Sequence, residues 1–267
     1  LRKVQIQHEL IFDCARDIIY PSCFSGVNMP RFFADEIGET IIISGDDAFH
    51  ISSSLRMKKG DEIIICDKKG YDYTCVIESF PDNSVVCRTI KKEPCLSEPC
   101  VNLTIFQAFP KADKFETIIQ KSVELGVCKI VPVISARCVS RPDEKNFAKK
   151  LERYSKISLE AAKQSGRGII PEICGIISFK KALEEMKASD ISLICYEKGG
   201  EKLQNAGILP GKSISVMVGS EGGFEEDEIE LAKKKGIIPV GLGKRILRCE
   251  TAPLAAAAVI MSIAGDI

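Results

Sequence analysis

Residues 213–259 read SISVMVGSEGGFEEDEIELAKKKGIIPVGLGKRILRCETAPLAAAAV, and they contain the pattern that decides the fold. An apolar run ends in a glycine loop, Gly219–Gly223, and a charged helix follows that loop. A second apolar run ends in another loop, residues 242–248, which opens an alanine-rich helix. Two strand ends therefore carry loops that are close together in sequence. Because ligands of open α/β sheets bind outside the carboxyl ends of strands, we predict the ligand site here.

The residue types of these loops restrict the ligand. The chain lacks both G-x-x-x-x-G-K-[ST] and G-x-G-x-x-G, the patterns of phosphate and dinucleotide loops. The glycine loop holds Glu221 and continues into four acidic residues, 225–228, which suit the start of a helix but repel a phosphate. We therefore predict a neutral or cationic small molecule held by backbone groups. The alternative is that these glycines only form tight turns and helix caps.

Composition indicates a soluble globular chain without metal. The 267 residues are 45% hydrophobic and 28% charged, enough for one large or two modest domains. No apolar run has the length of a membrane span. The twelve cysteines include no C-x-x-C, and two histidines allow no zinc-finger spacing. We interpret the cysteines as reduced core residues of a cytoplasmic protein.

Charge alone does not predict a nucleic-acid partner. The chain has 37 basic and 37 acidic side chains, whereas nucleic-acid-binding domains usually carry a basic surplus. Residues 1–100 hold 12 basic and 16 acidic side chains, so the remainder is mildly basic. A local basic patch stays possible.

The chain divides into two patterned parts. Short β-rich runs separated by turn signals dominate residues 39–90, with one helix expected from Asp46 to Leu55, and they favour a small barrel-like β domain. Residues 93–99 are typical of a linker. From Val101 onward, strands and helices alternate, which predicts a parallel sheet with helices on both faces. Asp113 and Glu116 are spaced as a helix capping box. Residues 1–28 are interpreted as an upstream extension or a misassigned start, with an extra helix as the alternative.

Five segments of the chain, which occur in the family's order, resemble the RsmE family of ribosomal RNA methyltransferases. This family belongs to the SPOUT class. The most detailed of these segments contains the two loops of residues 213–259. Its sequence, GSEGGFEEDEIELA…LGKRILRCETAPLAA, carries the resemblance. The four others are Met29–Phe33, His50–Met57, Lys111–Gly126 and Glu160–Arg167. Together they extend from Met29 to the C-terminal helix, so the resemblance covers nearly the whole chain.

The resemblance implies a fold and an activity. The expected fold is α/β, with an N-terminal PUA-like β-barrel at 29–98 and a C-terminal trefoil-knot (SPOUT) methyltransferase domain at 99–267. The alternation of strands and helices does not by itself predict a knot, since knots are rare in ordinary folds, so the knot is expected only from the resemblance. The expected reaction is S-adenosylmethionine-dependent methylation of N3 of a uridine in 16S ribosomal RNA of the small subunit. The helix from Ala252 to Ile260 would form a homodimer interface, or it is an ordinary buried helix.

The resemblance also implies the cofactor residues. The family's cofactor loops correspond to two loops of this chain, and a third segment, Leu193–Glu197, would close the pocket. The family more often has proline where Ser220 stands, which leaves the loop interpretation intact. Cys249 is interpreted as a packing residue, since no neighbouring histidine would activate it. The expected S-adenosylmethionine-binding residues are Leu193, Cys195, Gly219, Ser220, Glu221, Gly222, Leu242, Gly243, Ile246, Leu247 and Arg248.

The chemistry restricts the catalytic candidates to groups that remove a proton or stabilise an anion. N3 of uridine carries a proton and is a weak nucleophile when neutral. Arginines can stabilise the uracil anion, and Glu160 or a water held by Gln164 can accept the proton. The catalytic candidates are Arg31, Glu160, Gln164, Arg167 and Arg248, and the RNA-binding candidates are Arg31, Arg56, Lys114 and Arg137. Glu160 and Arg167 could instead be solvated helix-end residues, and Arg31 could contact only phosphate.

Three other functions stay open at this point. One is a SPOUT methyltransferase with another RNA target, because one fold hosts many activities. The second is a ribosome-assembly factor without catalysis, which would be expected to have degraded cofactor loops. The third is a metabolite-binding α/β enzyme, which would not need the β domain with Arg31 and Arg56.

Overall fold

The computed structural model describes residues 29–267, so the expectation for residues 1–28 lies outside it. The first domain is a five-stranded mixed sheet whose order is β1-β3-β4-β5-β2 and in which only β1 and β3 run parallel. Side chains alternate between buried and exposed along the strands, and the buried set forms a single core. The strands are β1 (Arg31–Phe33), β2 (Thr40–Ser44), β3 (Glu62–Cys66), β4 (Tyr71–Ser79) and β5 (Ser84–Pro94).

The helix expected between β2 and β3 has two parts. It begins as α1 (Gly45–Phe49) and continues as a π-helical turn, His50–Ser54. Arg56 then adopts a left-handed conformation with φ of 53°, which ends the turn. The expected linker is also different, because β5 continues to Pro94 and shortens it.

The second domain contains a parallel sheet, as the alternation of strands and helices predicts. Its order is β11-β13-β10-β12-β6-β7-β8, with β9 also beside β7, and every pairing is parallel. The central β12 is buried at five of its six positions, as expected for an apolar strand covered on both faces. The strands are β6 (Asn102–Ala108), β7 (Lys129–Ile134), β8 (Glu172–Ile173), β9 (Ile177–Ser178), β10 (Ile191–Cys195), β11 (Glu201–Lys202), β12 (Ser213–Val218) and β13 (Ile238–Gly241).

Helices cover both faces of this sheet. On one face, α2 (Lys114–Glu124), α3 (Glu144–Gln164) and α6 (Ala252–Ala264) contribute to the larger core. On the other face, α4 (Phe179–Met186) and α5 (Glu226–Lys234) contribute to a second core. The expected capping box at Asp113 is absent, because its side chain makes no cap bond and Glu116 pairs with Arg153. A capping box forms instead at Glu225 and Glu228.

The two domains are joined by a buried polar contact. The Glu98 carboxylate accepts the backbone N–H groups of Gly168 (2.8 Å) and Ile169 (3.0 Å) and pairs with Arg167 at 2.8 Å. Arg167 is 2% exposed and also donates to the Val127 carbonyl at 2.6 Å. We call this contact the Glu98 latch. It fixes the segment between β5 and β6, which connects the two domains, to the loop that follows α3.

A second contact and an apolar cluster strengthen the junction. Lys163 at the end of α3 pairs with Asp47 of α1 at 2.7 Å. Phe33 packs against a small core formed by Val123, Ala161 and Ala162. Among the helices of residues 29–267, none is long and apolar enough to cross a membrane.

Candidate cofactor and RNA site

A cavity lies at the carboxyl ends of β10 and β13. These strands are parallel neighbours, so their ends meet at the same edge of the sheet. The cavity has a volume of about 110 Å³. Its walls come from the end of β10, the loop after β13 and the first residue of α6. The lining residues are Cys195, Tyr196, Glu197, Leu242, Gly243, Lys244, Arg245, Ile246, Leu247 and Ala252.

The glycine loop after β12 adjoins this cavity. A Cβ at Gly222 would come within 2.9 Å of the Arg137 Cβ, so the loop backbone lies directly on that arginine. Gly223 has φ of +65°, and a Cβ there would stand 3.1 Å from the Glu197 carboxylate, which lines the cavity. Only glycine allows this close approach together with a left-handed backbone. The two loops predicted from sequence therefore meet through Glu197.

Lys114 provides a second link between the loops. Its Nζ lies 3.1 Å from Glu221 in the glycine loop and 3.3 Å from Glu250, which follows the second loop. Burial acts to raise the pKa of Glu221, but hydrogen bonds from its own backbone and that of Lys111, and from Lys114, lower it overall. The hydrogen bond to Glu221 is the main reason that the pKa of Lys114 is raised. Both loop carboxylates are thus ionised at neutral pH and held by one lysine.

The cysteines at the site are not nucleophiles. Burial raises the pKa of the Cys195 thiol to about 12. Burial, together with a hydrogen bond to Glu250, also raises the pKa of Cys249 to about 12. Neither thiol forms a thiolate near neutral pH, and only the thiolate is reactive. Cys249 is also buried, as its predicted packing role requires.

The predicted cofactor residues divide into three groups. Leu193 does not line the cavity in the described structure, because its side chain is fully buried in the larger core, and its contact with the cofactor stays a prediction. The predicted glycine-loop residues adjoin the cavity without lining it, and Arg248 stands at the end of the second loop with 84% of its side chain exposed. The segment Leu193–Glu197 was expected to close the pocket, and its last three residues line the cavity, whereas the sequence missed Lys244, Arg245 and Ala252. The predicted residues that line the cavity are Cys195, Leu242, Gly243, Ile246 and Leu247.

Two predicted catalytic arginines are held in structural ion pairs. Arg31 forms a bidentate pair with Asp72, with both N–O distances 2.7 Å, and it lies in the β domain. Arg167 belongs to the buried Glu98 latch and is neither a solvated helix-end residue nor open to a substrate. In the described structure a carboxylate occupies each guanidinium, which favours structural roles for both arginines, and the phosphate contact of Arg31 stays a prediction. Arg248 is the predicted catalytic arginine that stays exposed beside the loops.

Glu160 and Gln164 lie apart from the cofactor cavity. Both line a groove of about 650 Å³ between α2 and α3, which shares no lining residue with the cavity. The remaining RNA-binding candidates also differ in availability. Lys114 holds the two loops, and Arg137 pairs with Glu225 at 2.9 Å and donates to the Gly222 carbonyl at 3.0 Å. Arg56 is exposed at the end of the π-helical turn.

The cavity residues fit S-adenosylmethionine in their chemistry. Glu197 offers a carboxylate to a cationic group, and Lys244 and Arg245 offer cations to a carboxylate. The volume of about 110 Å³ is below the roughly 300–1,000 Å³ of ordinary ligand pockets. The loop over the cavity carries Ile246 with 88% exposure, so it has little packing that would resist opening. Within residues 29–267, no group of three metal-ligating side chains could hold a metal ion.

Comparisons with known proteins define the class of this chain. A family described as RNA methyltransferase domain matches residues 97–261, and one described as RNA methyltransferase PUA domain matches residues 43–90. The protein is therefore a PUA-like domain joined to an α/β methyltransferase domain of the SPOUT class, and the predicted fold class is confirmed.

Individual relatives define the family. The Ribosomal RNA small subunit methyltransferase E of Bacillus subtilis is 37% identical over 245 residues, which cover 87% of this chain and 96% of the relative. The crystal structure of the Neisseria gonorrhoeae enzyme of that name, bound to S-adenosyl methionine, matches with a TM-score of 0.81 and 35% identity over 88% of this chain and 98% of that chain. The chain belongs to the ribosomal RNA small subunit methyltransferase E family.

Proposed function

We propose that this protein transfers a methyl group from S-adenosylmethionine to N3 of a uridine in 16S ribosomal RNA, and that it acts in the cytoplasm. The observation that carries the proposal is the meeting of two glycine-bearing loops at a cavity on the carboxyl edge of a parallel sheet, in a chain of this family. The relative from Neisseria gonorrhoeae, which is bound to S-adenosyl methionine, supports the cofactor. The choice of uridine N3 rests on the family resemblance.

The chain's own residues suit the binding of the cofactor. Backbone groups of Leu242–Leu247 and of the β10 end would hold the adenosine part without a phosphate subsite, and Glu197 would face a cationic group. When it is bound, S-adenosylmethionine supplies an electrophilic methyl group. Lys114 links the two loops through its pairs with Glu221 and Glu250, so its role is to hold the pocket together and not to contact RNA.

Arg248 is the residue we propose to stabilise the uracil anion. Its guanidinium is exposed at the end of the cofactor loop and lies 4.0 Å from Glu250, so no close ion pair holds it. A positive charge placed where negative charge develops lowers the barrier most in a water-poor site. Glu160, or a water held by Gln164, can accept the proton only if a second copy of the chain brings its α2–α3 groove to the cavity.

The C-terminal helix supports a homodimer. Its inner face is buried in the larger core. The alternative of an ordinary buried helix therefore describes only this face. Its outer face carries small and apolar side chains that remain half-exposed at Leu254, Ala255, Ala258 and Val259. Small side chains permit close approach of a second helix, and an apolar face of this kind favours association. Sedimentation equilibrium of the wild-type chain and of an Ala255→Glu variant tests this, with a monomeric variant and a dimeric wild type expected.

The experiment that tests the activity is methyl transfer from labelled S-adenosylmethionine to undermethylated small ribosomal subunits, with protein-free ribosomal RNA in parallel. Mass spectrometry then locates the modified base. N3-methyluridine supports the proposal, and label on another base would replace it with a different RNA target. Absence of both transfer and cofactor binding would favour an assembly factor. Arg248→Met is expected to lower kcat and to keep cofactor affinity, whereas Lys234→Met on the opposite face of the sheet should change neither.

A further inference from the structure

The outer face of α3 carries a row of basic side chains. Lys145, Lys149, Arg153 and Lys156 follow one another at spacings of four, four and three residues, which places them on one side of a helix. All four are exposed. We call them the α3 stripe. With a rise of about 1.5 Å per residue, the stripe extends about 16 Å, the length of several nucleotides of an RNA strand.

The charge of the stripe is largely unneutralised. Arg153 pairs with Glu116 at 2.7 Å, but among the described residues no carboxylate forms an ion pair with Lys145, Lys149 or Lys156. The helices on the opposite face of the sheet differ. There, lysines of α4 and α5 and of their flanking loops pair with neighbouring glutamates, as seen for Lys181, Lys187, Lys198, Lys233 and Lys235. Among the described residues Lys180 and Lys234 stay unpaired there, but they lie on two separate helices, whereas the α3 stripe brings three unpaired lysines onto one helix face.

The middle of the stripe lies near the cofactor loops. The segment before α3 contains Arg137, which donates to the Gly222 carbonyl of the glycine loop. The pair between Arg153 and Glu116 also joins the middle of α3 to the start of α2, where Lys114 holds both loops. Lys149 and Lys145 precede Arg153 by about 6 and 12 Å along the helix, on the side that leads to Arg137.

The C-terminal end of the stripe opens into the groove between α2 and α3. The groove has a volume of about 650 Å³, with Ile157 and Ala161 as apolar wall residues. Gln120 and Gln164 line it, and in the described structure neither side-chain amide makes a hydrogen bond to a protein group. Free amides beside an apolar wall suit the edge and face of a nucleobase, the groups by which single-stranded RNA is recognised.

We infer that the α3 stripe binds the phosphates of a single RNA strand leading to the target nucleotide, and that the α2–α3 groove receives one base of that strand. The inference rests on the proposed function, which makes RNA the substrate. It gives Glu160 and Gln164 a place in substrate binding within one copy of the chain. It also explains how a chain with no net charge can bind a polyanion, because three lysines without an ion pair among the described residues share one face of α3.

The test compares two matched double variants. The stripe variant, Lys149→Ala with Lys156→Ala, removes two charges from α3. The control variant, Lys180→Ala with Lys234→Ala, removes one exposed charge from α4 and one from α5, and neither lysine forms an ion pair among the described residues. Binding to protein-free small-subunit ribosomal RNA is measured between 50 and 300 mM salt. Each lost phosphate contact lowers the slope of log affinity against log salt by about 0.7 for single strands. The stripe variant is expected to lose about 1.4 in slope and about 25-fold in affinity at 0.1 M salt.

A third variant tests the groove. Gln120→Met removes hydrogen-bonding groups and no charge, so it should raise KM for RNA about five-fold and leave kcat and the salt slope unchanged. Cofactor affinity, measured by calorimetry, should be equal in all variants. Equal salt slopes for the two double variants would overturn the inference, as would a loss of binding to intact subunits without a loss on protein-free RNA, which would indicate a ribosomal protein partner. Failure of the wild type to bind or methylate any ribosomal RNA would instead reject the proposed function.

Discussion

The Glu98 latch predicts that Arg167 stabilises the protein without taking part in catalysis. The Arg167→Met substitution keeps much of the side-chain volume and removes the charge and all donors. Glu98 would retain its two backbone N–H donors, but its charge would lose the guanidinium, and the Val127 carbonyl would lose its hydrogen bond at 2.6 Å. Removing one partner of a buried ion pair costs about 3–5 kcal/mol. Because the backbone donors remain, we expect a loss near 3 kcal/mol.

The matched control is Arg153→Met, which breaks a pair of nearly the same length on the surface. Arg153 and Glu116 are 2.7 Å apart, but 68% of the Arg153 side chain is exposed. Exposed pairs contribute about 0–1 kcal/mol, so this variant should unfold close to the wild type. For a chain of this size, 1 kcal/mol corresponds to roughly 2–4 °C, and Arg167→Met should lower the thermal midpoint by about 6–12 °C.

The assay combines thermal unfolding followed by circular dichroism with cofactor binding measured at 20 °C. Cofactor affinity should change less than two-fold in both variants, because other elements build the cavity. A thermal midpoint for Arg167→Met within 2 °C of that of Arg153→Met would refute the buried latch. A normal midpoint together with lost methyl transfer would return Arg167 to the catalytic candidates.

Three further predictions concern the glycine loop, a surface carboxylate and a buried thiol. Gly223→Ala should weaken cofactor binding measured by calorimetry more than Gly236→Ala does, because both have positive φ but only the first meets a carboxylate within about 3.1 Å. Hydrogen bonds from Ser213 lower the pKa of Asp190 from 3.8 to about 2. The stability that they add is present above about pH 4 and lost as the pH falls through 2, so Asp190→Asn should lower the thermal midpoint at pH 7, and the difference from the wild type should shrink as the pH falls from 4 to 2. Cys249→Ala should retain methyl transfer in the labelled-cofactor assay, and an inactive but folded variant would contradict its packing role.

The sequence predicted the placement of the site because the relevant pattern is local. An apolar run ending in glycines marks both a buried parallel strand and its carboxyl end, and β12 with the Gly219–Gly223 loop follows that rule. Prediction was less successful for β10, since Leu193 was assigned to the pocket together with Cys195. In a strand covered on both faces, only the terminal residue reaches the edge, so Cys195 lines the cavity and Leu193 does not.

The roles of the arginines could not be predicted from the sequence. Arg31 and Asp72 are 41 residues apart, and Arg167 and Glu98 are 69 residues apart, so no local pattern pairs them. The resemblance placed these arginines in the family's motifs, but it did not show whether each arginine has a structural or a catalytic role. The capping box failed for a related reason, because Glu116 meets Arg153 of α3 and is drawn away from its own helix start.

The position of Gly168 extends the meaning of the domain junction. A Cβ at this residue would lie 2.7 Å from the Cβ of Cys95, so the loop after α3 touches the end of the β domain with no room for a side chain. Together with the Glu98 latch, this contact holds the two domains at a fixed distance from each other. An RNA whose two contact points are already held at that distance loses little conformational entropy on binding, whereas a free strand must first be ordered. We therefore expect the protein to select its substrate by a distance across folded RNA as much as by the identity of one base.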